Sequence, residues 1–236
     1  MYNPQAARDD FQNAAKIFQN AINAKRATNQ NPDQRAPLSL SDVIAMYQLT
    51  QSTLRLEQPI VTTSPIYTFP IATTQQGAQA PFITEIRLQQ TDTFVPTQIF
   101  VGLGNASGTS DITFKVVAYP SPVLFPTGFT AMQTLYNGQL KFQINNYQYL
   151  YGWDLLRHYF SPQTQQTAAP GPGSPVDEFD LSQDGFYPMQ PFVLFNGLQN
   201  LNFQAVLPGA ITTNDSATRV VVLLRGVIAQ NSTVAV

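Results

Sequence analysis

The chain has 236 residues, with 12 Lys and Arg against 14 Asp and Glu, a formal net charge of −2, one histidine and no cysteine. That composition excludes disulfides, thiolate metal sites, cysteine nucleophiles and multi-histidine zinc sites. Near-neutral charge also argues against a nucleic-acid surface built on a basic patch.

Residues 3–28 are predicted to form a helix. Asn3 suits the N-cap and Pro4 the first helical position, with Lys25 and Arg26 in the last turn. Phe11, Ala14, Ala15, Phe18 and Ile22 recur at helical spacing as a narrow apolar stripe. Residues 27–38 are polar and carry two prolines, so they read as an extended linker. Ser39 and Ser41 then precede a short helix over 42–49, with Val43, Met46 and Tyr47 on one side. Residues 1–50 are thus expected to be a helical arm with its linker.

From residue 54 the apolar period changes to two. Over 82–90, Phe82, Ile86 and Leu88 oppose Glu85, Arg87 and Gln89. Over 139–146, Leu140, Phe142 and Ile144 oppose Lys141, Gln143 and Asn145. Over 200–207, Leu201, Phe203, Ala205 and Leu207 oppose Asn202 and Gln204. Further strands are expected at 54–61, 66–72, 94–103, 112–118, 131–136, 147–153, 192–195 and 219–229. The dipeptides Asn137-Gly138 and Asn196-Gly197 suit type I′ hairpin turns, and Asn145-Asn146 suits another turn. Short antiparallel strands with turn residues every 8–12 positions predict an all-β, antiparallel β-sandwich over 51–236. Residues 219–229 are apolar on both phases, so the strand needs a cover on each face. Residues 161–191 contain six prolines and form a long Pro/Gly-rich loop.

The residues that bear chemistry are few. Asp177, Glu178, Asp180 and Asp184 are the local carboxylate group; their spacing misses that of known calcium loops and favours an ordinary acidic loop. Asp154, Arg157 and His158 sit together beside Trp153, with no nucleophile-elbow motif anywhere in the chain. A lone histidine among aromatics reads as structural. Tyr147, Tyr149, Tyr151 and Trp153 alternate along one strand, a pattern that fits a core or interface and also a stacking platform for sugar rings. No catalytic residue, cofactor or metal is assigned. The opening residues carry no secretory pattern, and no apolar run of about 18 residues is present to span a membrane.

Charged residues make up only 11%, against about 25% in ordinary domains. Gln and Asn together supply about one residue in six. The helical arm, the polar linker, the antiparallel body and this amide-rich, charge-poor surface resemble the jelly-roll virion proteins of icosahedral viruses. Within that group, TDTFVPTQIFVGLG, LYNGQLKFQINNYQYL and FVLFNGLQNLNFQAVLP resemble structural proteins of bacteriophage particles. The resemblance implies a single jelly roll, because a double one needs about sixteen strands. It implies self-assembly into or onto a capsid, with copies of itself and other virion proteins as partners, no sequence-specific nucleic acid, and residence in the virion after synthesis in the host cytoplasm. The arm is then expected to pack on another subunit through Phe11, Phe18 and Ile22, with Val221 and Leu223 of the two-sided strand as a second interface. The alternative is a receptor- or glycan-binding β-sandwich module that uses the tyrosine row.

Overall fold

The computed structural model describes residues 4–28, 36–75, 82–105, 115–120, 125, 129–160, 185–212 and 218–232. Helix α1 spans Pro4–Ala27 and helix α2 spans Leu40–Met46. Ser39 starts α2 with a reciprocal cap: the Asp42 N–H donates to Ser39 Oγ (3.2 Å) and the Ser39 N–H donates to Asp42 Oδ2 (3.1 Å). The amides of α1 hold the segment before α2. Gln19 Nε2 and Asn23 Nδ2 donate to the Leu38 carbonyl at 2.9 and 3.1 Å, and the Leu38 N–H donates to Asn23 Oδ1 at 2.8 Å. These amide side chains therefore pin the two helices together.

The strands are β1 (Thr50–Pro59), β2 (Ile66–Pro70), β3 (Thr93–Asn105), β4 (Lys115–Val117), β5 (Gln139–Ile144), β6 (Tyr147–Asp154), β7 (Tyr187–Pro188), β8 (Phe195–Asn196), β9 (Leu201–Val206) and β10 (Thr218–Ala229). One sheet has the order β1-β10-β3-β4, with β7 and β8 also pairing on β3; the other has the order β2-β9-β5-β6. Every strand pairing is antiparallel, and the pairs nest: β1 with β10, β2 with β9, β3 with β7 and β8, and β5 with β6. The main core lies between the sheets and includes Leu54, Phe69, Ile99, Leu140, Phe142 and Phe203. The period-two phases of 139–146 and 200–207 hold: Leu140, Phe142, Ile144, Leu201 and Phe203 are buried. The fold is nevertheless mixed rather than purely β. The helix α3 (Phe129–Met132) and a 3-10 turn over Gln133–Asn137 lie within the body itself.

Strand β10 is covered on both faces. Val220, Val222 and Leu224 enter the core between the sheets. On the opposite face, Val227 and Ala229 join Val95 beneath α1 and α2, while Val221 packs with Phe100, Val116 and Ala118. A bulge on β3 makes this possible: Arg225 faces Gln98 and Gly226 faces Pro96, leaving Thr97 as the extra residue. Phe94 and Ile99 can then both point inward although an even number of residues separates them. Gly226 lies where the strands approach most closely; a Cβ there would fall on the Val95 carbonyl oxygen and 2.8 Å from Pro96 Cα. Both obstacles are backbone, so Gly226→Ala is expected to lower unfolding free energy by about 1–3 kcal/mol. A urea midpoint equal to that of the parent would show that the bulge yields freely.

Five expectations fail here. Over 82–90 the buried phase is reversed: Ile86 is 54% exposed, while the side chains of Glu85 and Arg87 are buried, and only Leu88 lies fully in the core as expected. The Glu85 carboxylate accepts from the backbone N–H groups of Glu57 and Phe82 and pairs with Arg87, which stabilises burial of the charge. Residues 131–136 are helical, because Met132, Leu135 and Tyr136 bury one face of a turn. Asn137-Gly138 therefore ends a 3-10 turn, with Gly138 extended at φ −91° and ψ −174°. Asn196-Gly197 joins strands of different sheets rather than a hairpin, since β8 pairs with β3 and β9 with β2 and β5. Met46 of α2 is 58% exposed while Val43 alone of that face is fully buried.

Candidate interaction site

The residues expected at subunit contacts fall into two clusters of this chain. Phe18 and Ile22 are fully buried and Phe11 is partly buried, all against Val95, Val227 and Ala229 of the six-stranded sheet. Val221 is fully buried beside Phe100, and Leu223 packs there with Phe186. The Arg225 guanidinium lies 3.7 Å from the Phe186 ring centre and roofs that second cluster. Helix α1 thus lays its stripe on this chain's own sheet.

Three exposed tyrosines lie on β6. Tyr147 and Tyr151 are 75% and 80% exposed and Tyr149 is 44% exposed. They do not form one flat row. Tyr147 pairs with Ile144, Leu150 with Phe142 and Trp153 with Leu140, so the register slips twice along the strand. Each slip inserts an extra residue and rotates the side chains that follow. The expected alternation of four aromatics on one face is broken for that reason, and Tyr149 turns to lie 6.3 Å from the Phe142 ring.

At the end of β6 the chain enters a 3-10 turn, Leu155–His158, capped by Asp154, whose Oδ1 accepts from the Leu156 N–H at 2.9 Å. His158 is fully buried. Its Nε2 accepts from Trp153 Nε1–H at 2.9 Å, so the ring is neutral with its hydrogen on Nδ1, which donates to the Gly185 carbonyl at 3.2 Å. Burial pushes its pKa down to about 4. Arg157 stacks over Trp153 at 4.9 Å. Asp154, Arg157 and His158 are therefore adjacent, as expected, but each is engaged in holding the turn.

One cluster escapes the sequence pattern. Glu57 of β1 is fully buried and pairs with Arg55 at 2.6 Å and with Arg219 of β10 at 2.8 Å. Arg219 also lies over the Phe82 ring at 3.8 Å, and Glu85 with Arg87 completes the group at 2.9 Å. The only signal in the chain order is the pair of alternating charges Arg55/Glu57 and Glu85/Arg87 in a sequence otherwise poor in charge. Among the described residues no group of His, Asp or Glu is placed to hold a metal, and no helix is long and apolar enough to cross a membrane. Asp177, Glu178, Asp180 and Asp184 lie outside the described residues. The chain matches no protein-family model, no curated protein and no solved structure.

Proposed function

We propose that this chain is a non-enzymatic structural protein of an icosahedral bacteriophage particle, made in the host cytoplasm and assembled into or onto the capsid with copies of itself and other virion proteins. The observation that carries this reading is the nesting of the strand pairs. With β4 set aside and β7 and β8 counted as one position, the chain has eight strand positions. The first pairs with the eighth, the second with the seventh, the third with the sixth and the fourth with the fifth. The eighth also pairs with the third, and the seventh with the fourth. A single long hairpin rolled into two sheets has this order, which supports a single jelly roll, an arrangement that recurs in viral capsid and lectin domains.

Fold alone does not carry function, so the second support is surface chemistry. The outer face of the four-stranded sheet presents Thr68, Gln139, Gln143, Asn202 and Gln204, with Lys141 and, opposite Gln139, Asp154 as charges of opposite sign. An amide both donates and accepts, so such a face meets another copy of itself without like-charge repulsion. The exposed Tyr147 and Tyr151 favour a second reading, a glycan- or receptor-binding module.

Light scattering after size exclusion, with negative-stain imaging of the full chain, distinguishes the two. The particle reading expects ordered assemblies that grow with protein concentration. A chain that stays monomeric or trimeric at every concentration and retains a neutral oligosaccharide on a column overturns it in favour of the binding module.

A further inference from the structure

We propose that His158 is an acid-released clasp joining the two sheets at one corner of the sandwich. The turn that carries it follows β6, an edge of the four-stranded sheet, whereas Gly185 and Tyr187 lead into β7 on the six-stranded sheet. The imidazole lies between them. It accepts from Trp153 on one side and donates to the Gly185 carbonyl on the other. The Trp153 ring stacks beside it at 6.1 Å, and Tyr187 meets it edge-on at 5.3 Å. No other hydrogen bond among the described residues joins this turn to residues 185–188.

The geometry admits only the neutral ring. Protonation places a hydrogen on Nε2, directly facing the Trp153 N–H, so two donors oppose each other. The ring is fully buried, so the cation has no water to solvate it in place. It must leave the site, and in leaving it releases both Trp153 and Gly185. The charged groups acting on the ring are Arg157, which opposes protonation, and Asp154, which favours it; both belong to the turn or its cap. Among the described residues, β3, β7 and the Gln133–Asn137 turn contain no charged residue.

The sign follows from linkage. The closed ring, with its pKa near 4, binds a proton about 300-fold more weakly than a free histidine near 6.5. The open state therefore gains from acid. Closure is fully supported above about pH 6.5, and its support declines as pH falls from there to about 4.

Trp153 and His158 are the only tryptophan and the only histidine in the chain, so each reports without interference. Trp153 emission, followed from pH 7.5 to 3.5 alongside far-UV circular dichroism, is expected to change in one reversible step below pH 6 while the backbone signal holds. His158→Gln, which can still accept from Trp153 and donate to Gly185 but cannot titrate, is expected to lack the step. The histidine ring resonances of the parent protein give a measurement that does not depend on that variant: a neutral ring protonated on Nδ1 at pH 7, titrating at least tenfold more weakly than a free histidine. The same emission step in His158→Gln, no step in the parent, or a ring titrating near 6.5 would each overturn the clasp.

Discussion

Phe142→Ala is expected to lower the free energy of unfolding by about 3–5 kcal/mol. Phe142 is fully buried on β5, a central strand of the four-stranded sheet. Its ring centre lies 5.6 Å from Phe203 in its own sheet and 4.9 Å from Phe195 in the other. It therefore spans the layer between the sheets, and its removal takes away contacts on both sides. Strands held by backbone hydrogen bonds on either edge cannot close on the space, so a cavity adds to the lost transfer energy. Urea denaturation of the parent, Phe142→Leu and Phe142→Ala should give losses in that rising order. A loss below about 1 kcal/mol for the alanine variant would mean that the sheets collapse around the gap and that this layer is not tightly packed.

Glu57→Gln is expected to cost a similar amount, about 3–5 kcal/mol, for an electrostatic reason. The substitution keeps the shape of the side chain and removes one charge. Glu57 is fully buried between Arg55 and Arg219, whose side chains are only 23% and 10% exposed. Without the carboxylate, the two guanidinium groups lose the buried anion that bridges them in a site largely shielded from water. Glu85 lies close but already accepts from two backbone N–H groups and pairs with Arg87, so it cannot replace Glu57 without giving up those bonds. Arg219→Met is expected to cost less, because Glu57 keeps Arg55 as its partner. Equal stability of Glu57→Gln and the parent in urea would show that water reaches the cluster and screens it. If both predictions hold, the sandwich is held by an apolar layer inside and by an ionic staple on its outer face where β1 meets β10.

The parts of this fold that were legible from the chain are those where one residue's environment follows from its own neighbours. In 139–146 and 200–207, each strand has water on one side and the core on the other, so Leu140, Phe142, Leu201 and Phe203 declare the inner face by simple alternation. Helix α1 and the Ser39 cap are equally local, since both depend on spacing of three or four residues.

Other features were decided by residues far away in the chain. Burial of Glu85 and Arg87 in place of Ile86 depends on pairing with β1, where Arg55 exchanges backbone hydrogen bonds with Ile86 and the Glu57 N–H donates to Glu85, which no local period encodes. Asn196-Gly197 has the chemistry of a hairpin, but the strands on either side find partners in different sheets, and that choice belongs to the whole topology. The bulges of β6 scatter a tyrosine row that alternates correctly in sequence, because register is set by pairing with β5 rather than by spacing alone. The two-sided apolar run of β10 announced that a second cover was required. The sequence alone determined that need, because apolar surface on both faces of a strand must leave water. Only the tertiary structure decided that this chain's own α1 supplies much of the cover, because the stripe of Phe18 and Ile22 fits beneath Gln19 and Asn23, whose amides fasten the helix to Leu38 of the same chain.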